Sequence, residues 1–181
     1  MGVLLNLGYL VAAVLMLPWF IYRITARGDG RSMLLRFGVG LPPPAAGSIW
    51  LHGSSAGEIA LLHGLVRRLE TDFPETPLVI TAYSSTGFSA ARKAYPKHRV
   101  LFFPADFSFV VRRFLRRFDP SLVVIVESDF WPNFLLATQS RKIPVAVLNG
   151  KMSNKSYRIH ARTRLVPKLL RSLPVLAVQN E

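Results

Sequence analysis

The longest apolar stretch of the chain lies at its amino terminus. Residues 3–21 read VLLNLGYLVAAVLMLPWFI, and Asn6 is the only strongly polar side chain among them. A helix of about 20 apolar residues crosses the hydrocarbon core of a bilayer, so we predict a transmembrane anchor over residues 1–22. A cleaved signal peptide is the alternative, although no basic residue precedes the run and no A-x-A site follows it.

The basic residues that follow the apolar run predict its orientation. Only the α-amino group precedes the run, and positive charge collects on the cytoplasmic side of a span. We therefore expect a single-pass membrane protein with its main domain in the cytoplasm. The residues that carry this signal are Arg23, Arg27, Arg31 and Arg36.

Residues 23–46 separate the apolar run from the rest of the chain. They are basic and end in Leu41, three consecutive prolines and a small-residue run. Because proline removes a backbone donor and fixes φ, we expect a stiff, nonhelical connector here. The folded domain is then predicted to occupy residues 47–181.

Short apolar runs rich in β-branched residues recur through residues 47–181. They are uninterrupted rather than alternating, which is typical of strands buried on both faces of a parallel sheet. The predicted strands are Ile49 to Leu51, Leu78 to Thr81, Val100 to Phe103, Leu122 to Val126, Val145 to Leu148 and Val175 to Val178.

Helical periodicity fills the segments between these runs. Residues 107–118 place apolar side chains at helical spacing, with Asp106 as the predicted N-cap, and residues 57–70 show the same pattern. Alternating strands and helices indicate an α/β fold with a doubly wound parallel sheet. In such sheets ligands bind beyond the carboxyl ends of the strands, so the loops after strands are the candidate sites.

The loop after the first strand, His52-Gly-Ser-Ser-Ala-Gly-Glu58, has three interpretations. Ser55 and Glu58 can form a capping box at a helix start. The G-x-S-x-G spacing also fits a hydrolase nucleophile, with Asp106, Asp119 or Asp129 and then His160 in the expected chain order. Thirdly, Glu58 can act as a general base, because a helix N-terminus favours an ionised carboxylate.

Three further loops carry polar groups. Residues 84–87 read SSTG and can bind an anion through backbone N–H groups at a helix start. Residues 127–133 read ESDFWPN and form either an acidic and aromatic cleft wall or a capped helix start with Trp131 in the core. Residues 149–156 read NGKMSNKS and suit either a phosphate or sugar site or a solvated loop.

Composition narrows the class of partner. The 181 residues carry 23 basic and 10 acidic side chains, a net charge of +13, so an anionic partner is expected. The chain has no cysteine, and its four histidines lack a paired metal spacing, so we predict no metal site and no cofactor. Four arginines face away from the apolar stripe of residues 107–118, which favours anionic membrane lipids over nucleic acid or a merely solvated face: Arg112, Arg113, Arg116 and Arg117.

The ordered set of loop motifs resembles the N-terminal half of 3-deoxy-D-manno-octulosonic acid (Kdo) transferases. The motifs are HGSSAGE from His52, TAYSSTG from Thr81, PAD from Pro104, ESDFWPN from Glu127, NGKMSNKS from Asn149 and the closing QNE. The resemblance implies a membrane-bound glycosyltransferase of the GT-B type, whose Rossmann-like N-terminal domain binds the lipid A precursor. It also implies that a C-terminal domain binds the donor, CMP-Kdo.

The resemblance also implies roles for individual residues. Glu58 matches the glutamate that deprotonates the acceptor hydroxyl, and Glu127 matches a second essential carboxylate. The role of Asp129 stays open because the motif reads E-S-D here. Lysine replaces the family's arginine at position 151, which keeps the charge but loses the bidentate grip on phosphate. The residues expected to bind substrate are Ser54, Ser55, Gly57, Thr86, Asn149, Lys151 and Ser153.

The resemblance covers an acceptor-binding half, so we expect a fragment that lacks the donor domain and is inactive alone. Its expected partners are the lipid A precursor, CMP-Kdo and anionic inner-membrane lipids, with no nucleic acid. The alternative from another class is a noncatalytic, membrane-bound protein that binds anionic lipid through its arginine face. A serine hydrolase acting through Ser55 is the third hypothesis.

Overall fold

The protein folds around one six-stranded parallel sheet. The computed structural model describes residues 2–15, 18, 30–127, 131–150, 165–171 and 173–178. The strand order is β3-β2-β1-β4-β5-β6, and every neighbouring pair runs parallel. The predicted doubly wound sheet is therefore confirmed. Its strands are β1 Ile49–His52, β2 Leu78–Ala82, β3 Arg99–Phe102, β4 Leu122–Val126, β5 Val145–Gly150 and β6 Val175–Val178.

Helices lie between the strands and before the first of them. The predicted helix over residues 57–70 is confirmed and runs slightly longer, and the one over residues 107–118 begins one residue later than expected. The described helices are α1 Gly2–Leu15, α2 Gly30–Arg36, α3 Ala56–Asp72, α4 Ser85–Ala94, α5 Ser108–Phe118, α6 Pro132–Ser140 and α7 Leu165–Arg171.

The sheet separates two apolar layers. On one face Trp50 of β1 packs against α5 and α6, with Phe114 and Phe134 among its ring contacts. On the other face Leu51, the next residue of the same strand, packs with Ile59 and Leu62 of α3. Successive side chains of a strand point to opposite faces, so burial on both faces requires uninterrupted apolar runs such as that of β4. For β6 the expectation of burial was wrong, because this strand lies at the edge of the sheet and all four of its residues are exposed.

The amino-terminal helix packs against the domain through its polar side chains. The Asn6 side chain donates a hydrogen bond to Ser108 Oγ at 2.6 Å, and the Tyr9 hydroxyl donates to Asp106 Oδ2 at 3.0 Å. Its other face is apolar and exposed, with Leu15 77% accessible. Within the described ranges, no helix combines the length and the apolar character needed to cross a membrane. The predicted transmembrane helix is thus not supported, and most of residues 16–21 lie outside those ranges.

The predicted connector contains a helix and packs onto the domain. Residues 30–36 form α2, so the expectation of a nonhelical segment was wrong there. The prolines come only after this helix, and they leave its backbone donors intact. Arg117 Nε of α5 donates to the Pro42 carbonyl oxygen at 2.7 Å, and the backbone N–H of Ala45 donates to the Arg117 carbonyl oxygen. One of the four arginines assigned to the anionic face therefore anchors this segment instead.

Asp106 caps a different helix from the one predicted. Helix α5 has Phe107 at its N-cap and no side-chain capping bond. The Asp106 carboxylate instead accepts hydrogen bonds from the backbone N–H groups of Asn133 and Phe134, at 3.0 and 2.8 Å, in the first turn of α6. These N–H groups have no partner within their own helix, and a carboxylate there also meets the positive end of the helix dipole.

Candidate active site

The loops that follow β1 and β4 meet at the centre of the sheet. The two strands are direct neighbours, with His52 paired to Ile125. The strand order reverses here, because β2 and β3 continue on one side and β5 and β6 on the other. The carboxyl edge of such a reversal forms a crevice in which α/β proteins bind ligands. Glu58 follows β1 and Glu127 follows β4, so both candidate carboxylates flank this position.

Glu58 forms the predicted capping box at the start of α3. Its backbone N–H donates to Ser55 Oγ at 3.3 Å, and the Ser55 hydroxyl donates to Glu58 Oε1 at 2.8 Å. Glu58 Oε2 accepts a hydrogen bond from the backbone N–H of Ser54 at 2.7 Å. The side chain is half-buried and folded back on its own turn. Each carboxylate oxygen has about two acceptor directions, so these bonds leave capacity for one further donor on each.

The same hydrogen bonds bear on the hydrolase hypothesis. The Ser55 hydroxyl contacts a carboxylate rather than an imidazole. His52, the first residue of this loop, is fully buried and places Nδ1 against Thr81, while its Nε2 lies 3.5 Å from Ser54 Oγ. His160 lies outside the described residues, so the hydrolase triad stays untested.

The loop after β2 is bonded to the loop that carries Glu58. The carbonyl oxygen of Ser54 accepts hydrogen bonds from the backbone N–H and the hydroxyl of Ser84, at 2.8 and 2.9 Å. Because the Ser84 hydroxyl hydrogen points to Ser54, the Thr86 hydroxyl is the donor in its 3.1 Å contact with Ser84 Oγ. Thr86 and Gly57 are exposed beside this junction. The predicted binding residues Ser54, Ser55, Gly57 and Thr86 therefore belong to one connected surface.

Gly87 sets how closely these two loops approach. A Cβ atom added there lies 2.8 Å from the Ser54 carbonyl oxygen and 3.1 Å from the Ser55 carbonyl carbon, so backbone must move. We expect Gly87→Ala to lower the free energy of unfolding by about 1–3 kcal/mol, measured by urea denaturation.

Gly64→Ala provides the matched control for that substitution. Gly64 lies exposed within α3, and a Cβ added there meets no atom within 4 Å. Alanine is a better helix former than glycine, so this variant should gain about 0.5–1 kcal/mol. Equal stability changes in the two variants would contradict the close approach of the two loops.

Two residues at the ends of neighbouring strands adopt a left-handed backbone. Glu127 follows β4 with φ of 67°, and Asn149 is the penultimate residue of β5 with φ of 56°. Asparagine tolerates this region, but for glutamate it is uncommon, and such conformations cluster at functional sites. Both side chains are half-buried. Ser128–Phe130, Lys151 and Ser153 lie outside the described residues, so their predicted roles stay predictions.

An aromatic wall borders the carboxyl edge of the sheet. Trp131 is half-buried and its ring packs in a tilted arrangement against Tyr83 and Phe103, with centroid distances of 4.9 and 5.4 Å. Phe103 in turn lies 4.1 Å from the His52 ring. Tyr83 is 45% exposed, so it forms the solvent-facing end of the stack. Trp131 therefore packs against the core at the N-cap of α6, which has no side-chain capping bond, and its role in a cleft wall stays a prediction.

Sequence reasoning missed Arg36 as part of this wall. Its guanidinium lies 4.4 Å from the Tyr83 ring centroid and donates to the Tyr83 carbonyl oxygen. It also donates to the Phe103 carbonyl oxygen at 3.4 Å. Arg36 therefore fixes the ends of β2 and β3 relative to each other. The available signal was one basic residue in a segment expected to be nonhelical, which does not distinguish this role from an orientation signal.

Comparisons with known proteins support the family that the order of the loop motifs suggests. A family model described as 3-deoxy-D-manno-octulosonic-acid transferase (kdotransferase) matches residues 31–181. A 3-deoxy-D-manno-octulosonic acid transferase from Chlamydia muridarum is 31% identical over 180 residues, which cover 96% of this chain and 42% of the relative. The corresponding protein from Haemophilus influenzae is 29% identical over 116 residues, 64% of this chain and 27% of the relative.

A third relative has a broader name. A bifunctional glycosyltransferase/methyltransferase from Fusobacterium nucleatum is 28% identical over 137 residues, 74% of this chain and 21% of the relative. The chain spans about two fifths or less of the length of these curated relatives. Since the family model covers most of the chain and the order of its motifs fits the same group, the chain belongs to the family of 3-deoxy-D-manno-octulosonic acid transferases.

Proposed function

We propose that this chain is the acceptor-binding half of a glycosyltransferase that moves Kdo from CMP-Kdo to a hydroxyl group of a lipid A precursor. The observation that carries this proposal is the placement of Glu58 and Glu127 in the segments that follow the adjacent strands β1 and β4, at the reversal of the sheet. Family membership supports the reaction class. The CMP-Kdo site is proposed to lie in a second domain outside these 181 residues.

In the proposed reaction Glu58 accepts the proton of the acceptor hydroxyl. The acceptor oxygen then forms a bond to the anomeric carbon of Kdo, and the bond from that carbon to the CMP phosphate oxygen breaks, with its electron pair leaving on CMP. The remaining acceptor directions on the Glu58 oxygens suit this role. The bond from Ser54 N–H holds the carboxylate in place, so little reorganisation precedes proton transfer.

Glu127 is proposed as the second carboxylate of the site. Its backbone N–H donates to the Leu148 carbonyl oxygen at 2.9 Å, which fixes the left-handed turn at the end of β4. Asn149 lies beside it at the end of β5. We propose that these residues, together with Lys151 and Ser153, contact the sugar and phosphate groups of the acceptor.

We also propose that the protein binds the cytoplasmic face of the inner membrane through its amino-terminal segment. One face of α1 is apolar and exposed. On the other face, Asn6 and Tyr9 donate hydrogen bonds to side chains of the domain. This geometry favours a helix lying in the membrane surface, as amphipathic anchors do, over one that leaves the domain to cross the bilayer. The exposed side chains of this face are Leu7, Leu10, Val11, Val14 and Leu15.

The arginine face of α5 supports binding to anionic membrane lipids. Arg112, Arg113 and Arg116 are exposed on the helix, whereas its buried stripe includes Phe114 and Leu115. Each basic residue near an anionic surface contributes about 1 kcal/mol to binding. The same face supports the second candidate function, a noncatalytic protein that binds anionic lipid.

A transfer assay separates the two candidate functions. Residues 1–181 are joined to the C-terminal part of the Chlamydia muridarum relative, and transfer of labelled Kdo from CMP-Kdo to a lipid A precursor is measured. We expect transfer by the joined protein and none by the chain alone. If the joined protein folds and binds CMP-Kdo but transfers nothing, the noncatalytic function is favoured.

A further inference from the structure

A large groove lies along the outer edge of strand β3. Its volume is about 710 Å³, within the range of small-molecule sites. Helix α2 and residues 39–42 form one wall, helix α4 forms the other, and the edge strand forms the floor. β3 pairs only with β2, so this side of the strand has no neighbouring strand in the described part of the chain.

Three arginines surround the groove. Arg31 comes from α2, Arg92 from α4 and Arg99 from β3, and none of the described lining residues is acidic. These arginines take part in none of the ion pairs found within the described ranges. Like charges gathered around a cavity repel one another, and an anion that enters relieves this repulsion. Guanidinium groups match the geometry of phosphate oxygens in particular.

The rest of the lining is divided into a hydroxyl side and an apolar side. Ser85 and Ser89 face the groove from α4. Leu35, Leu101 and Phe88 provide apolar surface, and the Phe88 ring is held by stacking on Phe102 at 4.1 Å. A site with cationic, hydroxyl and apolar sectors fits a molecule that combines an anionic group with a hydrocarbon chain.

The groove begins next to the candidate base. Ser85 lines it and is preceded by Ser84, whose N–H and hydroxyl both bond the Ser54 carbonyl oxygen. Ser54 N–H in turn bonds Glu58. The groove and the Glu58 loop therefore both contact the start of α4, the groove at Ser85 and the loop at Ser84.

We propose that this groove binds a phosphate group and the adjoining acyl chain of the phosphorylated lipid acceptor. The proposal rests on the proposed function for the identity of the lipid. The phosphate lies among Arg31, Arg92 and Arg99, and the chain lies against the apolar side. A hydroxyl elsewhere on the same molecule then reaches the loop of Glu58.

Equilibrium binding of decyl phosphate to the 181-residue chain in uncharged maltoside detergent tests this site. Calorimetric titration should give an affinity at least about tenfold above that for inorganic phosphate, a difference of about 1.4 kcal/mol. Arg92→Gln combined with Arg99→Gln should weaken decyl phosphate binding by about tenfold or more. The control pair Arg67→Gln and Lys93→Gln removes the same charge from exposed positions outside both the groove and the arginine face, and should leave binding unchanged.

The apolar side is tested by Leu35→Ser. This variant should weaken binding of decyl phosphate but not of inorganic phosphate, with Leu34→Ser, exposed on the same helix, as its control. Equal affinities of wild-type protein for the two phosphates, or equal losses in the groove pair and the control pair, would overturn the proposal. Preferential binding of an acidic peptide along β3 would overturn it as well.

The result of the groove-binding experiment does not depend on whether Glu58 is the base. Glu58→Gln should bind decyl phosphate as the wild type does, because the Glu58 side chain does not line the groove. Loss of binding in the groove variants therefore reports on the groove, and loss of transfer in Glu58→Gln reports on the base.

Discussion

Glu58→Gln in the joined protein should lower the rate of Kdo transfer by about 10²–10⁴-fold, the contribution typical of a general base. Glutamine keeps the size of the side chain and can still accept a hydrogen bond from Ser54 N–H, but it cannot take up a proton. The measurement is the initial rate of Kdo transfer at saturating CMP-Kdo and lipid A precursor.

Measurements of stability distinguish a Glu58 that acts as the base from a Glu58 that only caps α3. If Glu58 only caps α3, its substitution changes the free energy of unfolding by about 1 kcal/mol and leaves the transfer rate near that of the wild type. That result would remove Glu58 from the mechanism. Glu70→Gln is the matched control, since Glu70 lies exposed on the same helix and pairs with His98 at the surface. It should transfer Kdo at the wild-type rate.

The stability of the protein should fall as the pH rises from about 4 to above 6, through the titration of Asp106. Burial raises the pKa of the Asp106 carboxyl from 3.8 to about 6, against the opposing effect of hydrogen bonds from Asn133, Phe134 and Tyr9. A carboxyl whose pKa is higher in the folded state stabilises the fold while it is protonated. This contribution is complete below the unfolded pKa and is lost as the pH passes the folded pKa.

The full loss from Asp106 amounts to about 3 kcal/mol, because one pKa unit corresponds to about 1.4 kcal/mol. Urea denaturation between pH 4 and 7.5 should show that the free energy of unfolding of the wild type falls as the pH rises. The free energy of unfolding of Asp106→Asn should not show this fall. Asp72→Asn, an exposed site on α3, should keep the wild-type slope. If Asp106→Asn does not fold, ¹³C NMR titration of the Asp106 carboxyl in the wild type gives the pKa directly, and a value near 4 would contradict the prediction.

The sequence alone predicted the strands of the sheet and the helices α3 and α5. Apolar runs such as Leu122–Val126 are buried on both faces, and a buried strand requires this pattern whatever its neighbours are. The amphipathic stripe of α5 and the capping box of Ser55 and Glu58 were likewise readable, because they depend on residues within one turn of each other. Local spacing also placed Glu58 and Glu127 after strands, where α/β sites form.

Contacts between distant segments were decided only by the tertiary structure. Asp106 precedes α5 but caps α6, which begins 26 residues later, because folding brings an unpaired helix end to its carboxylate. Arg36 reaches the aromatic wall, and Asn6 and Tyr9 of the first helix form hydrogen bonds to Ser108 and Asp106 of the domain. Periodicity and capping rules describe neighbours along the chain. The partner of a polar side chain across the fold depends on packing that no local pattern contains.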